Sequence, residues 1–321
     1  MNFELYIENG GRVNIPKVMD GVKWTTDRKG SPGKLNFTVV KDSGVDFTEG
    51  NSVSLTVDGK KLFYGYVFSK KRDKKQHIEV TAYDQLRYLK NKDTYVYKGM
   101  TASELIETVA ADFNLNIGNI ELTSYKIGTE TQRVEQNKTL FDIIYNALDF
   151  ELTNNKRMYI LYDDFGKLTL KSIDNMKIPL IIDEIAGENY SYTSTIDEQT
   201  YNKIKLLYNN PDTKERDVYI SQDGGNMSRW GILQYFDTLK EDEDGEKKAD
   251  ALLELYNVKT RKLKITKAFG DVRVRAGSMP VINLNLGDMS LKNYMLVEKC
   301  THTFNESEHW MDLNLRGGEF I

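Results

Sequence analysis

The sequence predicts a mainly β member of the α+β class: two sheet regions with a small α+β unit inserted between them. Three observations predict it. Residues 49–84 and 276–318 each read as a three-strand meander, with apolar side chains at every second position and Gly, Asp or Asn in the breaks. Between them stands a capping box, Thr101-Ala102-Ser103-Glu104, ahead of an apolar helical stripe. The chain also carries 19 Tyr against 5 Pro, a usage that suits sheets.

The first region, 1–97, opens with strand-like runs at Phe3–Ile7 and Val13–Val18. Lys29-Gly30-Ser31-Pro32-Gly33 is a turn, because Pro fixes φ and the Gly after it tolerates φ > 0. In Lys34–Val40, Leu35, Phe37 and Val39 point inward. Val53, Leu55 and Val57 then precede Asp58-Gly59. Leu62, Tyr64, Tyr66 and Phe68 alternate with Phe63, Gly65 and Val67, and Ile78, Val80 and Ala82 follow a basic turn. These strands make a sheet long enough to curl into a barrel or half-barrel. Tyr83–Leu89 leaves it as a helical turn, and Asp93–Tyr97 is extended.

The inserted unit, 98–177, holds two helices and a hairpin. The first helix carries Leu105, Ile106, Val109, Ala110 and Phe113 on one face; the second starts near Thr139 and carries Leu140, Ile143, Ile144, Ala147 and Leu148. Met158, Ile160 and Tyr162 lead into a turn at Asp163-Asp164-Phe165-Gly166-Lys167, and Leu168 and Leu170 return. The second sheet region, 178–321, is read from Ile178–Ile182, Tyr190–Thr195, Tyr201–Tyr208, Asp217–Ile220, Gly231–Phe236 and Lys262–Phe269, with one helix near 246–258. In its closing meander, Met295, Val297 and Lys299 are assigned to one face, and Tyr294, Leu296, Glu298, Cys300, His302 and Phe304 to the other. Both meanders have a Gly-led first strand (Gly50, Gly277), a long second strand and a short third, the layout of a duplicated β-unit with little residue identity.

At 321 residues the chain has room for two or three domains of ~100–200 residues each. Hydrophobic residues make up 40% and charged residues 29%, which fits a globular rather than a disordered chain. A net charge of −4 argues against a large nonspecific nucleic-acid surface. No apolar run approaches the ~18 residues of a membrane-spanning helix, and Met1-Asn2-Phe3-Glu4 does not begin a secretory signal. The one cysteine, Cys300, excludes an internal disulfide framework and fits a reducing compartment of synthesis.

No catalytic, cofactor-binding or metal-ligating residue is assigned. Cys300 and His302 share a strand face and are the nearest thing to a reactive pair. With no second Cys and no orienting third group, they read as packed strand residues. His77, beside the basic turn, reads as solvent-facing. Asp242, Asp244 and Gly245 imitate part of a calcium loop, but the register puts Lys240 and Ala251 at the first and twelfth positions. Asp163-Asp164 suits a hairpin turn. The run Lys70-Lys71-Arg72-Asp73-Lys74-Lys75 is a soluble hairpin tip or a contact for nucleic acid or an acidic partner surface. Phosphate-loop, dinucleotide, nucleophile-elbow and zincin motifs are all missing.

Several stretches taken as a set carry a resemblance: Arg28-Lys29-Gly30-Ser31-Pro32-Gly33-Lys34-Leu35, Phe63-Tyr64-Gly65-Tyr66-Val67-Phe68, Ala82–Leu89, the hairpin Leu161–Leu168 and Val274-Arg275-Ala276-Gly277-Ser278. With this domain order, the chain resembles over nearly its whole length the XkdQ/YqbQ-like tail hub proteins of contractile phages, defective prophages and R-type bacteriocins. The resemblance implies a fold like the hub of T-even phages, with two tube-type β-barrel domains and smaller domains beside them. It implies a homotrimer that adapts a six-fold tail tube to a three-fold central spike, without enzymatic activity or cofactors. Its implied partners are the tail tube initiator protein, the central spike protein, baseplate wedge proteins and a LysM-type tail protein. No specific nucleic acid and no stable membrane insertion are expected. Its implied place is the tail baseplate of a virion or bacteriocin particle made in the host cytoplasm. Two other readings stay open at this point. A tail-borne cell-envelope hydrolase would need converging carboxylates or a metal. A carbohydrate-binding β-module would need exposed aromatic platforms, for which Trp24, Trp230 and Trp310 are the Trp candidates.

Overall fold

Eleven strands share one sheet, and several of them alternate strictly between buried and more exposed side chains. In a computed structural model describing residues 2–41, 44–210, 214–239, 243–285 and 290–317, the spatial order is Gly187–Thr195, Thr260–Phe269, His309–Gly317, Leu296–Phe304, Val22–Asp27, Lys34–Val40, His77–Tyr83, Lys60–Arg72, Ser52–Val57, Phe3–Asn9 and Arg12–Asn14. Every neighbouring pair is antiparallel. The two expected sheet regions are therefore one continuous sheet, joined where Val22–Asp27 pairs with Leu296–Phe304. Among the described residues no ladder closes either half into a barrel. The nearest approach is the segment from Arg12 to Met19. Its start pairs with Ile7–Asn9, and further on Val18 makes an isolated bridge to Val39. The two separate barrels expected from sequence take this open, fused form because period two fixes which side chains point inward, not which edges meet.

The joining strand, Val22–Asp27, is missing from the sequence reading, although Val22, Trp24 and Thr26 are buried and alternate with Lys23, Thr25 and Asp27. The closing meander also departs from expectation. Register shifts between Val297 and Lys299, so Val297, Cys300, His302 and Phe304 are all buried. A bulge inserts one residue and switches the faces beyond it. The meander's turn at Gly287-Asp288 and its last residue, Gly318, lie outside the described residues.

The two halves repeat one another in detail. Val67 makes backbone bonds to both Gly50 and Asn51, and Val297 makes the same two bonds to Gly277 and Ser278. Both glycines have positive φ, +88° and +92°. Beyond each valine the ladder shifts by one residue, between Val67 and Ser69 and between Val297 and Lys299. Ser52–Val57 pairs with the first part of Lys60–Arg72, and Met279–Asn285 pairs with Ser290–Tyr294, which continues into Leu296–Phe304. Lys34–Val40 flanks His77–Tyr83 as Thr260–Phe269 flanks His309–Gly317, and Val22–Asp27 lies outside the former as Gly187–Thr195 lies outside the latter. One difference is direction: Phe3–Asn9 is antiparallel to its neighbour Ser52–Val57, whereas Lys177–Asp183 is parallel to Met279–Asn285.

Two smaller units hang from this frame. The first holds α1 (Ala102–Asp112) and α2 (Leu140–Asn155), packed through Leu105, Ile106, Val109, Ile143, Ile144 and Ala147. Thr101 accepts from the Glu104 amide and the Glu104 carboxylate accepts from the Thr101 amide, completing the expected capping box. Thr139 caps α2 by accepting from Asp142 N at 3.1 Å. The hairpin Tyr159–Asp163/Leu168–Ser172 forms as expected, and two strands absent from the sequence reading, Ile117–Ile120 and Arg133–Thr139, complete the unit. The second unit collects Lys203–Asn209, Arg216–Gln222 and Gln234–Thr238 in their own sheet, with α3 (Gly224–Trp230) and α4 (Gly245–Tyr256). Its core is Ile204, Leu206, Leu239 and Ala249. These strands were read as part of the second large sheet; an alternating strand shows its faces but not its sheet.

Candidate assembly interface

The join between the halves is built from residues that alternate on two antiparallel strands. Trp24 lies opposite His302, and their rings stack at 5.1 Å and 21°. Thr25 and Thr301 hydroxyls meet at 3.2 Å. Two charged contacts close one end: Arg28 Nε donates to Glu298 at 2.7 Å, and Lys299 reaches Asp27 at 3.2 Å. The Ala276 amide donates to Thr26 Oγ1 at 2.9 Å. This pairing covers backbone groups that would otherwise form two exposed sheet edges.

Cys300 and His302 do come together, and His309 joins them. His302 Nε2 lies 2.8 Å from the Val274 carbonyl and 3.1 Å from Cys300 Sγ, and its Nδ1 lies 2.8 Å from His309 Nε2. A carbonyl only accepts, so Nε2 carries the proton; Nδ1 then accepts from His309. Burial holds His302 down to about 3 and His309 down to about 4, so both rings are neutral near pH 7. The same burial pushes the Cys300 thiol far above its usual range, the reverse of what a nucleophile requires. The cluster is a satisfied polar seam in the core, and among the described residues no three His, Cys, Asp or Glu side chains stand close enough to share an ion.

A second junction ties the inserted unit to both halves. Arg275 lies over the Tyr162 ring at 4.1 Å and the Trp24 ring at 5.8 Å, and its Nη2 donates to the Asp163 carbonyl at 2.9 Å. Asp84 accepts from Gly33 N at 2.8 Å and from Leu86 N at 3.1 Å, while Asp163 accepts from Gly166 N at 2.7 Å. Burial raises the Asp163 carboxyl to about 6, and burial together with the Asp163 charge raises Asp84. Asp163 is thus more than the turn residue read from sequence. The stretch around Arg275 carries part of the family resemblance, but its role had no local signal, because its partners are distant in the chain.

The remaining candidates stay apart. His77 is half-buried and bonds to Asp73 at 3.2 Å. Asp244 caps α4 by accepting from Lys247 N, and Asp242 lies outside the described residues. Trp24 is core, and Trp310 stacks on Phe269 at 5.5 Å with its Nε1 bound to Glu308. Trp230 ends α3. In the basic turn, Lys70 Nζ donates to the Phe47 carbonyl at 2.7 Å, while Lys71 to Lys75 are exposed. At the far end of the sheet, Gly187–Thr195 pairs on one side only among the described residues, and most of its side chains are exposed.

Known proteins share both sequence and architecture with this chain. The family model described as YQBQ-like matches residues 22–316. The phage-like element PBSX protein XkdQ of Bacillus subtilis is 27% identical over 307 residues, covering 93% of this chain and 92% of that protein. The 43 kDa tail protein of prophage MuSo2 from Shewanella oneidensis has the same fold at 12% identity, with a TM-score of 0.71 and coverage of 97% and 98% of the two chains. The E. coli c3393 protein, described as a type VI secretion component similar in structure to the T4 tail proteins gp27 and gp5, gives a TM-score of 0.60 at 11% identity, covering 99% of this chain and 78% of that one. With its fused double sheet and its family match over nearly the whole length, the chain belongs to the YqbQ-like family and has the gp27-like hub fold.

Proposed function

We propose that this chain is the structural hub of a phage or phage-like tail baseplate, a homotrimer that joins a six-fold tail tube to a three-fold central spike. The observation that carries this reading is the internal repeat: two strand sets of one order, with the same backbone bonds around Gly50 and Gly277. Three such chains offer six similar units to one ring and three whole subunits to the other, and a repeated heterologous contact can close on itself. The role requires shape and copy number rather than bond-making. Its partners are then other tail parts: the tube initiator, the spike, the wedges and a LysM-type tail protein. The relatives' descriptions as phage-like element and tail proteins support that location. Native mass spectrometry of the protein alone and mixed with its spike protein tests the reading, together with the hub copy number in purified tails. A trimer in either sample and a copy number of three are expected. Monomers in both, with a copy number not divisible by three, would overturn it.

A further inference from the structure

The repeat leaves one joint unmade. Inside the chain, the long meander strand of the second half (Leu296–Phe304) pairs with the outer strand of the first half (Val22–Asp27). The corresponding pair is the long meander strand of the first half, Lys60–Arg72, and the outer strand of the second half, Gly187–Thr195. These two do not pair within the chain. Among the described residues Gly187–Thr195 ends the sheet, and the distal part of Lys60–Arg72 pairs with His77–Tyr83 alone.

We infer that these two edges meet between subunits, so that the end of Lys60–Arg72 in one copy adds antiparallel to Gly187–Thr195 of the next copy and closes the ring. The inference rests on the trimeric hub reading and names its interface. The register follows from the repeat. Matching bonds equate Val67 with Val297, and the shared one-residue shift then equates Ser69, Lys70, Lys71 and Arg72 with Lys299, Cys300, Thr301 and His302. On the other side, Leu35 lies opposite Ala82 and Trp24 opposite Leu35; Leu263 lies opposite Leu315 and Tyr192 opposite Leu263. Ala82 and Leu315 are themselves partners of Val67 and Val297, so Tyr192 takes the place of Trp24 and Thr193 that of Thr25. The Thr25–Thr301 and Trp24–His302 pairs of the internal joint become Lys71 opposite Thr193 and Arg72 opposite Tyr192.

The chemistry of the two edges agrees with this pairing. Arg72 opposite Tyr192 replaces a stacked Trp–His pair with a cation facing an aromatic ring. Tyr190 is 40% exposed, whereas its counterpart Val22, covered by the internal joint, is 0% exposed. The tip beyond Arg72 is basic through Lys74 and Lys75, and in this register it runs toward the start of the receiving strand, where Asp183, Glu184 and Glu188 lie. Opposite charges on two heterologous edges favour the head-to-tail contact over pairing of like edges.

Cysteine cross-linking in assembled tails tests the register. Directly opposed residues of an antiparallel pair have Cα atoms ~4.5–5.5 Å apart, within disulfide reach. The sole native cysteine, Cys300, is fully buried. The double variant K71C/T193C should convert most of the hub protein to reducible dimers and trimers on mild oxidation, whereas K71C alone, T193C alone and the out-of-register pair K71C/G187C should remain monomeric in denaturing gels. The charge variant K71E/R72E alters only exposed side chains, so the purified chain should keep its melting temperature while its incorporation into tails falls at least tenfold. Tails with three hub copies in which K71C/T193C fails to link would overturn this interface and leave the trimeric reading intact. A copy number not divisible by three would strike the reading itself.

Discussion

His302 is the residue on which the internal joint turns, and its behaviour is set by its surroundings rather than by its type. Buried against Trp24 and Phe304, it has an ordinary imidazole value of 6.5 when unfolded but about 3 when folded. The unfolded chain therefore binds the extra proton between those values. This contribution to stability is complete above pH 6.5 and is lost as pH falls toward 3. At pH 5 the loss from this ring amounts to about 2 kcal/mol. Asp163, raised to about 6, acts in the opposite direction as pH rises from about 4 to about 6, because its folded form holds the proton longer. The variant H302Q keeps a donor for Val274 and an acceptor for His309 but does not titrate. Its stability between pH 7 and pH 5 should fall less than that of the parent by about 2 kcal/mol, measured by urea unfolding at each pH. Parallel pH profiles for the two proteins would show that the ring does not carry this load. Sequence placed Cys300 and His302 on one face; it could not supply His309 or the Val274 carbonyl, which reach the site through strand pairing.

At the scale of the element, the two leading glycines separate backbone need from packing need. Both hold positive φ and make the same bond to a buried valine. A Cβ at Gly50 would meet nothing within 4 Å, whereas one at Gly277 would lie 2.3 Å from Ile160 Cγ2 of the inserted unit. Gly50→Ala should therefore cost roughly 1–2 kcal/mol, for the left-handed backbone alone. Gly277→Ala should cost roughly 1–3 kcal/mol more, for overpacking. Urea midpoints at unchanged slope would read the difference. Equal losses would mean that Ile160 yields freely. The glycines and the meander layout were legible in sequence because turns and period two are local. The bulges at Phe68 and Glu298 were not, since an extra residue is visible only against its partner strand.

For the whole molecule, the consequence of the fused sheet is cooperation between halves far apart in the chain. Trp24 is 3% exposed, stacks on His302 from the opposite half and lies under Arg275. Trp24→Ala should cost about 3–5 kcal/mol. Because the join is shared, amide protection should fall together at Ile78–Ala82 and at Met311–Leu315, as measured by native-state hydrogen exchange. Loss confined to the first half would mean that the halves open independently.

The sequence by itself determined the mainly β class, the capped helices, the inward face of Lys34–Val40, the alternation of the first meander, and the layout shared by the two meanders. All of these follow from contacts within a few residues or from a two-residue period. Only the tertiary structure decided that the halves share one sheet, that Lys203–Asn209, Arg216–Gln222 and Gln234–Thr238 form a sheet of their own, and that Asp84, Asp163 and Arg275 converge. A strand's alternation specifies its faces, whereas its edges carry identical backbone groups whatever the side chains. Which edge finds which partner is settled only when the whole chain packs.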